Sequence, residues 1–324
     1  MRSRHFVFLL AGILALRLPL VAQSPIAAQA ESSLAAPGSR VADGYNLEAT
    51  TGTFSTRARE VNLLFSASDW LGHFVSNLTP SDIKVLDNGQ EPQSLTYFLR
   101  QSDLPLKVGL LIDVSGSVGT FFRAQQQAAA IFLQQTLRPS DSAIIIAFGG
   151  KSRVVQDFTS NLESLMNAVH RLSAGESSTA IHDAVSNSCE RLSAKAESGL
   201  ARRVLILITD GQENSSHLSI EDAIEAALQS DVIIFSLNTS PTRILSDPML
   251  EKLSKSTGGR VLRANGAREL KSAFRKINEQ LRNQYLLGYK PPDWQADHTF
   301  HRIGITARRF GLHIHCRKGY YAIE

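Results

Sequence analysis

The chain is 324 residues long, 43% apolar and 7% aromatic, and carries a formal charge of +4. That length holds one large domain or two modest ones, and that apolar content gives them a sizeable core without disulfide staples. The charge is too small to argue for a nucleic-acid partner, and the two cysteines, Cys189 and Cys316, fit no zinc spacing and read as unpaired thiols.

The first residues have the order of a secretory leader: Arg2 and Arg4, an apolar run over 6–16, then Ala28-Gln29-Ala30 as a small-residue cleavage point, with Val21-Ala22-Gln23 as a second candidate. Residues 1–30 are therefore expected to be a signal peptide, and the protein to be exported to the periplasm or beyond the cell. No later stretch reaches the ~20 apolar residues of a membrane helix. Residues 31–46, rich in Ala, Ser and Gly, read as a linker.

From 47 to 102 the pattern is β. Residues 61–66 and 83–86 form short strands, and Asp87-Asn88-Gly89 is a tight-turn signal because Asn-Gly tolerates positive φ. Residues 94–98 are expected to return along the strand before that turn. Residues 103–282 change character. Residues 106–112, 142–148 and 203–209 are near-continuous apolar runs, the mark of strands buried on both faces. Between and after them come a helix over 120–137, an edge hairpin strand over 152–158 and helices over 162–172 and 181–194. Helix 219–229, strand 232–237, helix 247–257, strand 260–262 and helix 267–281 complete the alternation. It predicts an α/β, doubly wound, mostly parallel sheet. Residues 283–324 return to β character, with strands at 285–289, 301–307 and 312–316. The two β flanks, 47–102 and 283–324, are each too short for a sandwich, so the economical arrangement pairs them into one smaller β-sandwich carrying the α/β domain, with two separate small sheets docked on that domain as the alternative. The basic residues of the last strands, among them Arg302, Arg308 and Arg309, read as a solvated face.

In an open parallel sheet, ligands bind beyond the carboxyl ends of the strands. Strand 106–112 ends in Asp113-Val114-Ser115-Gly116-Ser117, strand 203–209 ends in Asp210-Gly211-Gln212-Glu213, and between them Gly175-Glu176-Ser177-Ser178-Thr179 opens a helix. These loops offer carboxylates and hydroxyls, the oxygen set of Mg²⁺ or Ca²⁺ rather than of thiol- or imidazole-preferring metals. In an extended segment alternate side chains point the same way, so Asp113, Ser115 and Ser117 can converge on one point.

Asp113-Val114-Ser115-Gly116-Ser117, Thr179 within Ser178-Thr179-Ala180-Ile181-His182-Asp183-Ala184, and Thr209-Asp210-Gly211 together resemble the metal-ion-dependent adhesion site of von Willebrand factor type A domains, which have a Rossmann-like fold. The resemblance implies that Ser115, Ser117 and Thr179 ligate a divalent cation through their hydroxyls, and that Asp113 and Asp210 ligate it directly or through water. Mg²⁺ is the expected ion, with Mn²⁺ or Ca²⁺ as alternatives, and the implied partner is a protein offering an Asp or Glu carboxylate to the open coordination position. The chain departs from the family pattern at Ser177-Ser178, where Gly-Gly usually precedes the Thr. A looser resemblance, carried by Leu78-Thr79-Pro80-Ser81-Asp82-Ile83, Asp87-Asn88-Gly89 and Arg317-Lys318-Gly319-Tyr320-Tyr321, is to a group of secreted bacterial proteins abundant in acidobacteria.

The reading is of a binding module and not an enzyme. A metal-assisted hydrolase would need Asp210 and Glu213 to place a water, but no His or Lys accompanies those loops as a base, and His182 and His217 read as surface residues. A scaffold subunit of an envelope complex that recruits its partner without metal is the other class. No phosphate-binding glycine loop follows a strand.

Overall fold

In the computed structural model, residues 60–100, 104–194, 201–240 and 247–322 are described, and all lie within one compact unit. The expected signal peptide and linker fall outside them. Strands β1 (Val61–Ser68), β2 (Ile83–Asp87) and β3 (Ser94–Arg100) precede the α/β segment. That segment runs β4 (Leu106–Asp113), α1 (Phe122–Thr136), β5 (Ser142–Phe148), β6 (Ser152–Thr159), α2 (Leu162–His170), α3 (Ile181–Ala194) and β7 (Arg202–Thr209). It continues through α4 (Ile220–Gln229), β8 (Val232–Asn238), α5 (Pro248–Ser256), β9 (Val261–Arg263) and α6 (Ala267–Arg282). Strands β10 (Gln284–Lys290), β11 (Phe300–Ala307), β12 (His313–Cys316) and β13 (Gly319–Tyr321) follow.

The large sheet has the order β6-β5-β4-β7-β8-β9. Four of its five pairings are parallel, and at one edge β6 returns antiparallel to β5. The apolar runs are central because both their faces are covered. Val108, Leu110 and Ile112 of β4 pack with Phe132, Leu165, Phe274 and Ile277, so α1, α2 and α6 cover one face. Leu111 packs with Ile146, Leu207, Val185, Ala227 and Leu253, so α3, α4 and α5 cover the other. Helices on both faces make the sheet doubly wound, as the alternation of elements predicts. The helix expected from 120 begins as a 3₁₀ turn, Gly116–Phe121, and becomes α-helical at Phe122.

The flanking strands interleave. One small sheet has the order β12-β1-β10-β3 and the other β13-β11-β2, so each combines strands from before and after the α/β segment. Leu63, Phe65, Ile83, Val85, Leu287 and Ile303 share one core between them. Asp87, fully buried, pins the two sheets together: its carboxylate accepts hydrogen bonds from Tyr289 Oη (2.9 Å) on one and from Tyr320 Oη (2.8 Å) and His301 Nδ1 (2.9 Å) on the other.

The expected β2–β3 hairpin is not formed. The Asn-Gly turn is there, with φ of 47° at Asn88 and 83° at Gly89, closed between Asp87 and Gln90. Pro92 follows two residues later and has no N–H for a ladder along β2. The chain instead crosses to the other sheet, where β3 pairs with β10, and β11 becomes the neighbour of β2.

Candidate functional site

β4 and β7 are adjacent and parallel, so Asp113 and Asp210 leave the sheet side by side at its carboxyl edge. Asp113 is 0% exposed, Asp210 8% and Thr179 2%, whereas Ser117 faces solvent. Burial pushes the Asp113 carboxyl above its ordinary range, opposed by hydrogen bonds from Ser115 and Thr209 and reinforced by the neighbouring Asp210 charge. No Lys, Arg or His forms an ion pair with either carboxylate among the described residues. Two mutually repelling buried carboxylates without a basic partner are an unfavourable arrangement that a bound cation would neutralise.

Three loops hold this arrangement by bonding to one another. Within the first, Asp113 Oδ1 accepts from Ser115 N–H (2.8 Å), which turns the chain so that Ser115 Oγ and Ser117 Oγ lie 3.1 Å apart. Thr209 at the end of β7 donates its hydroxyl to Asp113 Oδ2 (2.7 Å), tying the first loop to the third. The second loop docks on the first: Gly175 and Glu176 N–H donate to Val114 O (2.9 and 3.1 Å), and Gly116 N–H donates to Glu176 O (2.7 Å). The second and third are joined at Thr179, whose N–H donates to Asn214 Oδ1 (2.9 Å) and whose carbonyl accepts from Asn214 N–H (3.0 Å). Asp210 Oδ1 accepts from Gln212 N–H (3.2 Å). The structure thus brings Asp113, Ser115 and Ser117 into one hydrogen-bonded chain and anchors the Thr179 and Asp210 loops to it.

The donor set fits a hard cation. Two carboxylates and three hydroxyls supply oxygen only, although among the described residues no group of three or more His, Cys, Asp or Glu is placed to hold a metal ion. Cys189 and Cys316 are both free thiols.

Four residues build this site in roles that the sequence alone does not assign. Thr209 belongs to the motif, but its hydroxyl serves as the support of Asp113. Asn214 and Glu176 act across loops. Glu213, considered there as a water-positioning carboxylate, is occupied otherwise. Its Oε2 accepts from Ile181 N–H (2.6 Å) and Ser216 Oγ (2.9 Å), and its Oε1 from the N–H groups of Ser215 (3.0 Å) and Ser216 (2.9 Å). Burial alone would raise this carboxyl, but hydrogen bonds from Ser216, Ile181 and Ser215 outweigh it and hold the group below its usual value. Glu213 therefore caps the start of α3 from another loop. His217 is exposed on the rim and bonded to Asp183.

No curated protein matches the chain. Among solved structures, a von Willebrand factor type A protein from Catenulispora acidiphila is 14% identical with a TM-score of 0.48, covering 83% of this chain and 75% of that one. BatB from Bacteroides thetaiotaomicron is 17% identical with a TM-score of 0.45, covering 54% of this chain and 98% of that one. Proximal thread matrix protein 1 from the mussel byssus, with a zinc-occupied metal-ion-dependent adhesion motif, is 17% identical with a TM-score of 0.47, covering 60% and 49%. Residues 108–276, more than half of the chain, match the family model of the von Willebrand factor type A domain, and the chain belongs to that family.

Proposed function

We propose that this protein is an exported binding module that holds a divalent cation through Asp113, Ser115, Ser117, Thr179 and Asp210 and uses it to engage an acidic side chain of a protein partner. The observation that carries this reading is the buried Asp113–Asp210 pair, without a basic counter-charge and flanked by hydroxyls, at the open end of a parallel sheet. A cation bound there supplies an electrophilic position that can accept a carboxylate oxygen from outside. Mg²⁺ suits the all-oxygen set best, with Mn²⁺ and Ca²⁺ as further candidates. The protein's own part is to hold the oxygens in place before binding. Thr209 fixes one Asp113 oxygen, Ser115 N–H fixes the other, and the Asn214–Thr179 pair sets the middle loop. Ser117, exposed at the rim, faces the approaching partner.

Export rests on the order of charge, apolar run and small residues over 1–30, and no helix of the described residues is long and apolar enough to cross a membrane. With Glu213 engaged as a helix cap, the carboxylate that a water-positioning role would need is already occupied by backbone donors, which favours binding over hydrolysis.

The test is calorimetric titration of Mg²⁺ and Mn²⁺ into chelator-stripped protein beside the Asp113→Ala variant, followed by capture of acidic partners with and without EDTA. One saturable site lost in the variant supports the reading. Wild-type protein that binds neither ion would overturn it and leave a metal-independent scaffold.

A further inference from the structure

The middle loop, which carries Thr179, rests on a dipeptide that belongs to none of the site's motifs. Gly149 and Gly150 follow β5 and form the turn into β6. Neither has a φ in the left-handed region, so the backbone conformation itself does not call for glycine. What calls for it is space. A Cβ on Gly149 would stand 2.1 Å from Glu176 Oε2 and 2.7 Å from Glu176 Cβ, and a Cβ on Gly150 would stand 2.3 Å from Ser178 Oγ. The side chains of the two residues at 176 and 178 therefore lie directly on the two glycines.

The backbone makes the same connection. Gly149 O accepts from Ala180 N–H (2.8 Å), and the preceding carbonyl, Phe148 O, accepts from Val114 N–H (2.8 Å). Thr179 is thus bracketed: Ser178 before it sits against Gly150, and Ala180 after it is bonded to Gly149. Glu176 is clamped between Val114 and Gly116 on its backbone and Gly149 on its side chain.

We propose that Gly149 and Gly150 are positioning residues for Thr179, a seat whose lack of side chains sets the height of the 175–180 loop over the sheet. The inference builds on the metal-site reading, but the seat is a property of the metal-free protein and can be tested there. A methyl group on Gly149 meets the Glu176 Cβ, which cannot rotate aside, so it lifts the loop and moves the Thr179 hydroxyl away from Ser115 and Ser117, whereas one on Gly150 meets only the Ser178 hydroxyl, which can turn to another rotamer, and disturbs the loop less. Residues that orient metal ligands from behind typically change affinity by about 10–100-fold when altered.

The experiment uses the full protein and the variants Gly149→Ala and Gly150→Ala, each alone and combined with a substitution at its opposing residue. Ser178→Ala removes the 2.3 Å oxygen contact and leaves its own Cβ at 3.6 Å, so it should restore Gly150→Ala fully. Glu176→Ala keeps a Cβ at 2.7 Å, so it should restore Gly149→Ala only in part, and Glu176→Gly should restore it further. The readouts are Mn²⁺ affinity and, without metal, amide hydrogen exchange at Ala180 and Glu176. Expected for Gly149→Ala are affinity at least about tenfold weaker and faster exchange, with a smaller change for Gly150→Ala and rescue confined to the matched pairs. Unchanged exchange and affinity, or rescue by the mismatched pair of Gly149→Ala with Ser178→Ala, would overturn the seat. If wild-type protein binds no Mn²⁺, the functional reading fails and the exchange data alone decide the seat. Should Gly149→Ala not fold, recovery of folding on adding Glu176→Gly but not Ser178→Ala decides the seat by the same contacts.

Discussion

Glu213→Gln separates a structural carboxylate from a chemical one. The substitution keeps the shape of the side chain, but one amide face now presents N–H₂ where the carboxylate received only donors. Those donors are Ile181 N–H at 2.6 Å and Ser216 Oγ at 2.9 Å on one oxygen, and the N–H groups of Ser215 and Ser216 at 3.0 and 2.9 Å on the other. Whichever way the amide turns, at least one backbone N–H loses its acceptor. The remaining bonds lose their charge assistance, and α3 loses a negative group at its N-terminus. One unsatisfied donor and weakened bonds to the rest, discounted because the loop is only partly buried, give about 2 kcal/mol. For a domain of this size that is a fall in Tm of about 4–8 °C. The effect has a pH signature. The folded-state pKa of Glu213 is depressed, so its contribution is fully present above the ordinary carboxyl value of 4.5 and is lost as pH falls through the lower folded value. Differential scanning calorimetry at pH 7 and in steps to pH 3 should therefore show the gap between wild type and variant closing on acidification. Equal Tm values at pH 7, or a gap undiminished at pH 3, would refute the capping role.

Thr209→Val should cost metal-free protein about 1.5–3 kcal/mol in urea titration, because a fully buried Asp113 oxygen loses its donor; Thr209→Ser should stay near wild type. Asp87→Ala should cost about 3–5 kcal/mol in guanidinium unfolding, since it strands Tyr289, Tyr320 and His301 without their shared acceptor. Tyr289→Phe, which removes one bond of the three, should cost about 1 kcal/mol. Gly259→Ala would place a methyl group 1.9 Å from the Ile234 carbonyl oxygen of β8, a backbone atom that cannot step aside, and should cost about 3 kcal/mol or prevent folding. Gly304→Ala, whose new methyl group would meet Leu86 at an ordinary 3.6 Å, is the control and should stay within about 1 kcal/mol of wild type in the same assay.

The parts of the fold that were legible in the sequence are those in which neighbours along the chain share one environment. β4, β5 and β7 are apolar at successive positions because both their faces are covered, and that pattern is visible without knowing what covers them. The capping box at Ser219, where the Asp222 carboxylate accepts from Ser219 N–H, marks the start of α4 in the same local way. The returning strand after Asn88-Gly89 was misread because the turn signal is local, whereas the choice of neighbour is not. Pro92 removed one option, and β10, nearly two hundred residues on, supplied the other. Asp87 shows the same limit. In sequence it is the polar first residue of a turn; in the fold it is a fully buried carboxylate between the two small sheets, held by partners from β10, β11 and β13.

The candidate site divides along the same line. Asp113, Ser115 and Ser117 converge because of spacing within a single loop, so a motif of five residues reveals them. Thr179 and Asp210 depend on contacts between loops: Asn214 holding Thr179 at both its N–H and its carbonyl, Thr209 reaching from β7 to Asp113, and the glycine pair after β5 beneath residues 176 and 178. Nothing in the spacing of those supports announces them, because each is local to a different strand end. Their chemistry is nonetheless specific. Every one meets a group the site would otherwise leave strained or unpaired: a buried carboxylate oxygen, a backbone N–H at the start of a helix, or a side chain with no room. The open end of a parallel sheet exposes such groups on adjacent strands, and loops that satisfy one another can leave the carboxylate pair itself without a basic partner. In the proposed function a cation completes that balance of charge, and on that reading the residues behind the site bear as much on binding as those facing it.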